Sequence, residues 1–379
     1  MLYGAGSMAA ALRLYLDLGD LFTKAVVVDP PWRRRLRFPS VVARRLLDDR
    51  NAAGELLIDE QQPLQRPVGF DAAQYARTRS YPGAEAVLGQ VRDQAPVTGA
   101  RYAGWQATTF GVDREVLGIH PTAQNVDALV HKALILTKAA SGRDVQVVFV
   151  LDAGAKAETI LRYAEQSPRT AAFEVHSLQQ REPRRVELEV RSRVVDAADC
   201  AAAALPSHCS LHKLERLLLI DIGYFRTKLA IVSSHGCEHQ EQLDSVGVSD
   251  CVKRILRDGQ DRGLVEDEFA VIHALEKSAP GALQVAGRRF AVTEPLRNAR
   301  DGLEQELERA ARRTLLGYFG RRARLCRGAV VLGGGVALVG EGLLARLRAS
   351  EVGLSQAWAA ADPSFFLLDG AEQVESATR

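Results

Sequence analysis

Two short stretches of this chain share a pattern that suits phosphate chemistry. In each, an aspartate closes an apolar run, a glycine follows two residues on, and a Thr-Lys pair comes four and five residues later. The first is Asp17-Leu-Gly19-Asp20-Leu-Phe-Thr23-Lys24 and the second is Asp221-Ile-Gly223-Tyr224-Phe-Arg-Thr227-Lys228. A glycine in a tight turn lets backbone N–H groups come close to an anion, because no Cβ intervenes. Threonine and lysine add a hydroxyl donor and a positive charge for phosphate oxygens. The aspartate repels phosphate itself and is suited to hold magnesium through water, since that ion prefers carboxylate oxygen and keeps several waters. Taken singly, such a turn also describes an ordinary β-hairpin. The two copies stand 204 residues apart, each between two apolar runs, and that repetition at domain scale favours the ligand-binding reading.

A third stretch is Val330-Val-Leu-Gly333-Gly334-Gly335-Val-Ala-Leu-Val, an apolar strand running into a triple-glycine turn, with a helix expected from Glu341 to Leu347. A glycine-rich turn after a strand permits close approach of a flat base or a sugar-phosphate. It is not a P-loop, because the Gly-Lys-Ser/Thr ending is absent, and no G-x-G-x-x-G lies near the first strand. The histidines show no metal-ligand spacing and no G-x-S-x-G elbow is present. His120, before Pro121, reads as structural, and His131 falls in a helical stretch. Trp32, Trp105 and Trp358 are scattered and read as packing.

The elements that must carry these turns alternate between strand and helix. Leu12–Leu16, Val145–Leu151, Leu217–Ile220 and Ala329–Leu332 read as short buried strands, each followed by Asp or Gly. Asn125–Ala140 and Leu303–Phe319 carry helical periodicity, and Arg181–Val195 alternates as a half-exposed strand. The result is an α/β architecture. The expected organisation is a duplicated fold: a first domain over 1–205 with an insertion at about 36–100, and a second over 206–379 with an insertion at about 253–324.

Composition agrees with a globular chain. Of 379 residues, 47% are hydrophobic and 25% charged, and 49 basic against 47 acidic residues leave a net charge of +2. That balance points away from direct nucleic-acid binding, although arginines cluster at Arg33–Arg35 and Arg321–Arg324. Cys200, Cys209, Cys237, Cys251 and Cys326 include no C-x-x-C pair, which argues against a disulfide framework or structural zinc and fits a reducing cytoplasm. No apolar stretch reaches the roughly 20 residues of a membrane span, and Met1–Ala11 reads as a loose leader rather than a signal peptide.

With three such turns in this order, the chain resembles the actin, heat-shock chaperone and sugar kinase ATPase superfamily, and within it the ParM-like plasmid-segregation actins. Phe38-Pro-Ser-Val-Val42 and Pro67-Val-Gly69 fall where that group has similar segments. The resemblance implies Mg-ATP bound between two related domains. Asp17 and Asp221 would hold hydrated magnesium, and Lys24 would meet the β- and γ-phosphates. Gly19, Asp20, Thr23, Gly223, Tyr224 and Thr227 would line the two phosphate loops, with Gly333, Gly334 and Gly335 at the adenosine. It further implies self-association into filaments, with a DNA-binding adaptor as a partner.

The sequence departs from the group in four places. A Glu or Gln that orients the attacking water is expected shortly before the second phosphate strand, where this chain reads Val194-Val-Asp196-Ala-Ala-Asp199. Asp196 or Asp199 would have to substitute, Asp196 being the one assigned to catalysis, with a side chain about one methylene short, and a misplacement of about 1 Å costs about a hundredfold in rate. Lys228 stands where an acidic residue often closes the second loop, the strand ending at Asp152 lacks a following proline, and the end after Asp369-Gly370 looks short. Slow hydrolysis with binding retained is the expectation. Three function classes follow: a filament-forming ATPase, a non-polymerising nucleotide-binding regulator or scaffold, and a small-molecule kinase with Asp152 as its general base.

Overall fold

The computed structural model describes residues 11–44, 55–56, 101–104, 107–108, 112–118, 121–152, 155–176, 184–208, 216–233, 236–260, 268–269, 271–272, 282–285, 288–291, 294–320, 326–350, 354 and 356–377. The chain divides into two compact units, Met1–Val195 and Asp196–Arg379.

The first unit is built on a sheet of strands β1 (Leu12–Leu18), β2 (Phe22–Asp29), β3 (Trp32–Pro39), β5 (Glu55–Leu56), β8 (Asp144–Leu151), β9 (Arg169–His176) and β10 (Arg184–Asp196), in the order β3-β2-β1-β8-β10-β9-β5. β1 pairs antiparallel with β2 and parallel with β8. Both faces of these central strands are covered, so they read as near-continuous apolar runs. Leu14, Tyr15, Leu16, Val26 and Phe149 are almost wholly buried. Helix α1 (Ala123–Thr137) packs over β1 and β2. It starts at Thr122, whose Oγ1 accepts from the Asn125 N–H at 3.2 Å, and stops at Lys138, which turns left-handed at φ 59. Helix α2 (Ala155–Glu165) follows β8. Strands β4 (Val41–Arg44), β6 (Arg101–Ala103) and β7 (Val112–Val116) form a small sheet in the order β6-β4-β7.

The second unit repeats the plan. Its sheet orders β13 (Gly236–Leu243), β12 (Thr227–Ser233), β11 (Arg216–Ile222), β16 (Cys326–Leu332) and β17 (Gln356–Ala359), with β11 antiparallel to β12 and parallel to β16. The repeat seen in sequence is a repeat in register: Asp17 opposes Lys24 and Leu18 opposes Thr23, as Asp221 opposes Lys228 and Ile222 opposes Thr227. Helix α3 (Ala197–His208) packs on the C-terminal helix α7 (Phe366–Ala377), while α5 (Glu294–Phe319) packs on α4 (Ser249–Gln260) and α6 (Val336–Ala349). The hairpin β14 (Ala282–Val285) with β15 (Arg288–Ala291) completes the described elements.

Several expectations are adjusted. The boundary read at 205 falls inside α3, which belongs wholly to the second unit because its Ala201, Ala204 and Leu205 join the core made by Leu217, Val232 and Phe366. Helix α6 begins at Val336 rather than Glu341, since Val336 and Val339 are buried in the two turns before Leu343. Trp32 is not a packing residue: it is 72% exposed at the tip of the β2–β3 hairpin. Cys200, Cys237, Cys251 and Cys326 are free thiols. The leader before residue 11, most of the insertion over 36–100, Trp105, His120, Cys209 and Arg321–Arg324 lie outside the described residues. Among those described, no helix is long and apolar enough to cross a membrane.

Candidate functional site

Parallel strands place their carboxyl ends at one edge of a sheet, and ligands of open α/β sheets gather there. In the first unit, β1 and β8 run parallel with Leu16 beside Phe149, so Asp17–Gly19 and Asp152 emerge together. In the second, Asp221 lies beside Leu332, so the Asp221–Gly223 turn and the triple glycine emerge together.

The first turn is fixed by its glycine. A Cβ on Gly19 would collide with the Phe22 carbonyl oxygen, which closes the hairpin over it. Lys24 and Asp17 face each other across the ladder, with Nζ donating to Oδ2 at 3.2 Å. Both are partly exposed (14% and 23%), which leaves the pair accessible to a ligand. Asp20 is held differently: the Lys156 ammonium, from the first turn of α2, donates to its Oδ1 at 2.5 Å and to the Leu18 carbonyl at 2.8 Å. On the other side, the Ser40 N–H donates to the Leu21 carbonyl at 2.7 Å and the Gly118 N–H to the Asp20 carbonyl at 3.3 Å. Lys156 escaped the sequence reading, because a lysine one residue into an amphipathic helix gives no signal of its own.

The second turn follows the same design with other partners. The Gly223 N–H donates to the Arg226 carbonyl at 2.8 Å, and a Cβ there would lie 2.7 Å from that oxygen. The N–H groups of Val248 and Ser249, where α4 begins, donate to the carbonyls of Gly223 and Tyr224. Tyr224 is buried, its phenol donating to Glu268 at 2.6 Å; burial first, and the Glu268 carboxylate second, push its ionisation far above the usual tyrosine range.

The glycine turn is packed directly on this second loop. Gly333 has φ +91, a conformation that side-chain-bearing residues rarely adopt, and a Cβ there would strike Oδ1 of Asp221. The Gly335 N–H donates to the Ile222 carbonyl at 2.9 Å and the Gly333 N–H to Pro363 O at 2.9 Å. Around Gly334 a Cβ would meet nothing within 4 Å, so this side of the turn is open. Asp221 and Gly333–Gly335 therefore form one local assembly.

Three expected residues sit otherwise than read. Thr23 and Thr227 do not offer hydroxyls outward. Both have 0% exposure; Thr23 Oγ1 bonds Ser40 Oγ at 2.9 Å, and Thr227 Oγ1 donates to the Val246 carbonyl at 2.7 Å. Strand alternation explains this: Asp17 and Lys24 point to one face, so Leu18 and Thr23 must point to the other. Asp196 caps helix α3, its Oδ1 accepting from the Ala198 N–H at 2.7 Å and the Asp199 N–H at 3.3 Å. Asp199 lies against Gly236, at the end of the β12–β13 hairpin away from Thr227. Nearby Cys200 is wholly buried, and burial with the charges of Asp196 and Asp199 pushes its thiol up to about 12, so it is inert.

As to magnesium, among the described residues no three or more His, Cys, Asp or Glu side chains gather as a cage. One carboxylate per turn, Asp17 in the first and Asp221 in the second, suits an ion that keeps most of its water.

Solved structures give this architecture a name. The chain is similar to an archaeal actin homologue, Ta0583, with a TM-score of 0.65 and 15% identity over 97% of this chain and 100% of that one. It is similar to Bacillus thuringiensis ParM with ATP at TM-score 0.58 and 12% identity, covering 97% and 100% of the two chains. A ParM from a 15-stranded filament of Clostridium botulinum matches at TM-score 0.58 and 14% identity, covering 96% and 99%. No protein-family model matches the sequence, and no curated protein matches it. The chain has the actin-like fold of the ParM type.

Proposed function

We propose that this chain is an actin-like protein that binds Mg-ATP, with Asp17–Lys24 and Asp221–Lys228 as its two phosphate loops and Gly333–Gly335 at the adenosine. The observation that carries the reading is the shared register of the two turns, each closed by glycine, in a chain of actin-like fold. Lys24 would neutralise phosphate charge, and Asp17 and Asp221 would hold the hydrated ion, whose contribution when bound is to neutralise charge developing on the transferred phosphoryl group. The open side of the turn at Gly334 and the left-handed Gly333 leave room for a flat base or ribose.

Hydrolysis on this reading is slow, below about 1 per second. Asp196 spends Oδ1 on a helix cap, and Ala197 beside it has nothing to orient water. We further propose that the protein works in the cytoplasm and assembles with copies of itself into nucleotide-dependent filaments, serving DNA segregation or cell organisation through a DNA-binding adaptor. ParM taken from a filament and ParM with ATP are among the proteins of this fold. The Asp196 cap gives one specific argument for the alternative, a nucleotide-binding regulator that does not polymerise.

Two measurements test this. Titration calorimetry with ATP in magnesium, and again in EDTA, should show binding that weakens without the metal. High-speed sedimentation with Mg-ATP, Mg-ADP or no nucleotide over a range of concentrations then separates the two readings. Pelleting above a sharp threshold with Mg-ATP selects the filament, whereas a protein that binds ATP and stays in the supernatant throughout selects the regulator. Failure to bind any nucleotide overturns both.

A further inference from the structure

The fourth residue of the motif distinguishes the two turns. In the second it is Tyr224, a neutral phenol. In the first it is Asp20, a carboxylate set next to the glycine on which a phosphate would have to sit. An ionised carboxylate in that place opposes an anionic ligand, because like charges a few ångströms apart repel strongly where solvent screening is weak. The structure shows what offsets it. Lys156 reaches from the start of α2, bonds Asp20 Oδ1 at 2.5 Å and Leu18 O at 2.8 Å, and so spans the turn from one side of Gly19 to the other. The two side chains are only 13% and 9% exposed, so solvent screens the pair weakly. Leu18 and Gly19 have no other side chain donating across them among the described hydrogen bonds, while the far side of the turn is tied by backbone groups of Ser40 and Gly118.

We propose that Lys156 is a positioning residue for the first phosphate loop: it neutralises Asp20 and clamps Leu18, making a turn that contains an acid fit to receive the phosphates of a nucleoside triphosphate. This rests on the nucleotide-binding reading above. Lys24 occupies the opposite strand and pairs with Asp17, so the turn carries two lysines set against two aspartates. Removing Lys156 alone leaves it one negative charge in excess. The penalty grows with the charge of the ligand, so ATP suffers more than ADP and ADP more than AMP. Removing Asp20 together with Lys156 restores neutrality, and the affinity returns.

The test is calorimetric titration of Mg-ATP, Mg-ADP and AMP into the full chain and into Lys156→Met, Asp20→Asn and the double variant, with a thermal melt of each without ligand. The expected result is that Lys156→Met loses ATP affinity about tenfold or more, in keeping with leaving a buried charge without its partner. The loss is smaller for ADP and smallest for AMP, and the double variant recovers to within about threefold of the parent. The melts separate this from a scaffold role, which lowers thermal stability and weakens all three ligands alike. Should Lys156→Met fail to fold, the other two still decide if the inference holds: the double variant binds ATP within about threefold of the parent, and Asp20→Asn, which takes a negative charge from the turn, binds ATP more tightly, with a smaller gain for ADP and the smallest for AMP. Equal loss for the three ligands, or a double variant that remains as weak as Lys156→Met, overturns it. A parent chain that binds no nucleotide overturns the functional reading and this inference with it, whereas a parent that binds and a Lys156→Met that binds equally well overturns the inference alone.

Discussion

Thr23 offers the sharpest test of how the first turn is built, because the pattern of residues and the structure assign its hydroxyl opposite directions. In the structure it is wholly buried and bonded to an equally buried Ser40 hydroxyl at 2.9 Å. Thr23→Val keeps the shape but leaves the Ser40 hydroxyl without its partner in the core, at a cost of about 1–2 kcal/mol. For a unit of this size that corresponds to a fall of roughly 3–6 °C in melting temperature. Ser40→Ala strands the Thr23 hydroxyl and should cost a similar amount. The double variant removes both polar groups, so its loss should fall short of the sum of the singles by about 1 kcal/mol, the signature of a direct pair. Melting temperature followed by circular dichroism gives the cycle, and calorimetry gives Mg-ATP affinity, which should move by less than about threefold because no phosphate contact is lost. A Thr23→Val protein with an unchanged melting temperature and a tenfold or greater loss of ATP affinity would refute the inward placement.

Four further expectations concern sites elsewhere. Burial, the main influence, holds the His131 imidazole below its usual ionisation range despite Asp127 at 3.5 Å, with Arg169 acting in the same direction as burial. The unfolded chain therefore takes up the proton first, and stability present above about pH 6.5 is lost as pH falls toward the folded-state value; melts from pH 7.5 to 5 should drop less steeply in His131→Gln. Gly370→Ala sets a methyl group onto the Cys200 backbone where α7 meets α3 and should cost about 2 kcal/mol in urea unfolding. Gly302→Ala in α5, where a Cβ meets nothing within 4 Å, should instead gain up to about 1 kcal/mol. Asp196→Ala should cost about 1 kcal/mol from loss of its cap, with Asp196→Asn keeping most of it, and ATP turnover should be equal in the two variants; a turnover lost in both and not in proportion to stability would restore Asp196 to catalysis.

What could be read from sequence was whatever the period of the chain records. The strands β1, β8, β11 and β16 are short apolar runs stopped by Asp or Gly, and each lies where its run predicted. The repeat was legible because its residues shape the turns: glycine at 19 and 223, where a side chain would meet a carbonyl, and aspartate opposite lysine in both ladders. Less was legible at the starts of two helices. The first turn of α6 hides behind three glycines, and α3 follows β10 without a break, so only its packing, on α7 and on the core of the second sheet, assigns it to the second unit.

The site was legible by type and not by direction. Asp, Gly, Thr and Lys build both turns, but the ladder register also fixes which side of the sheet each one takes, and that sends the threonines inward. Asp196 shows the same limit. An aspartate just before a helix satisfies two descriptions at once, water-positioning acid and N-cap, and its hydrogen bonds from the Ala198 and Asp199 N–H groups show the second. Lys156 is the converse case. It stands 136 residues from Asp20, and no local pattern ties the two. On the proposed reading, a carboxylate in a phosphate loop needs a cation nearby, and the helix that follows the neighbouring parallel strand is where the topology can supply one. On that reading Asp20 was the sequence signal for Lys156, since an acid in an anion site calls for a partner of opposite charge.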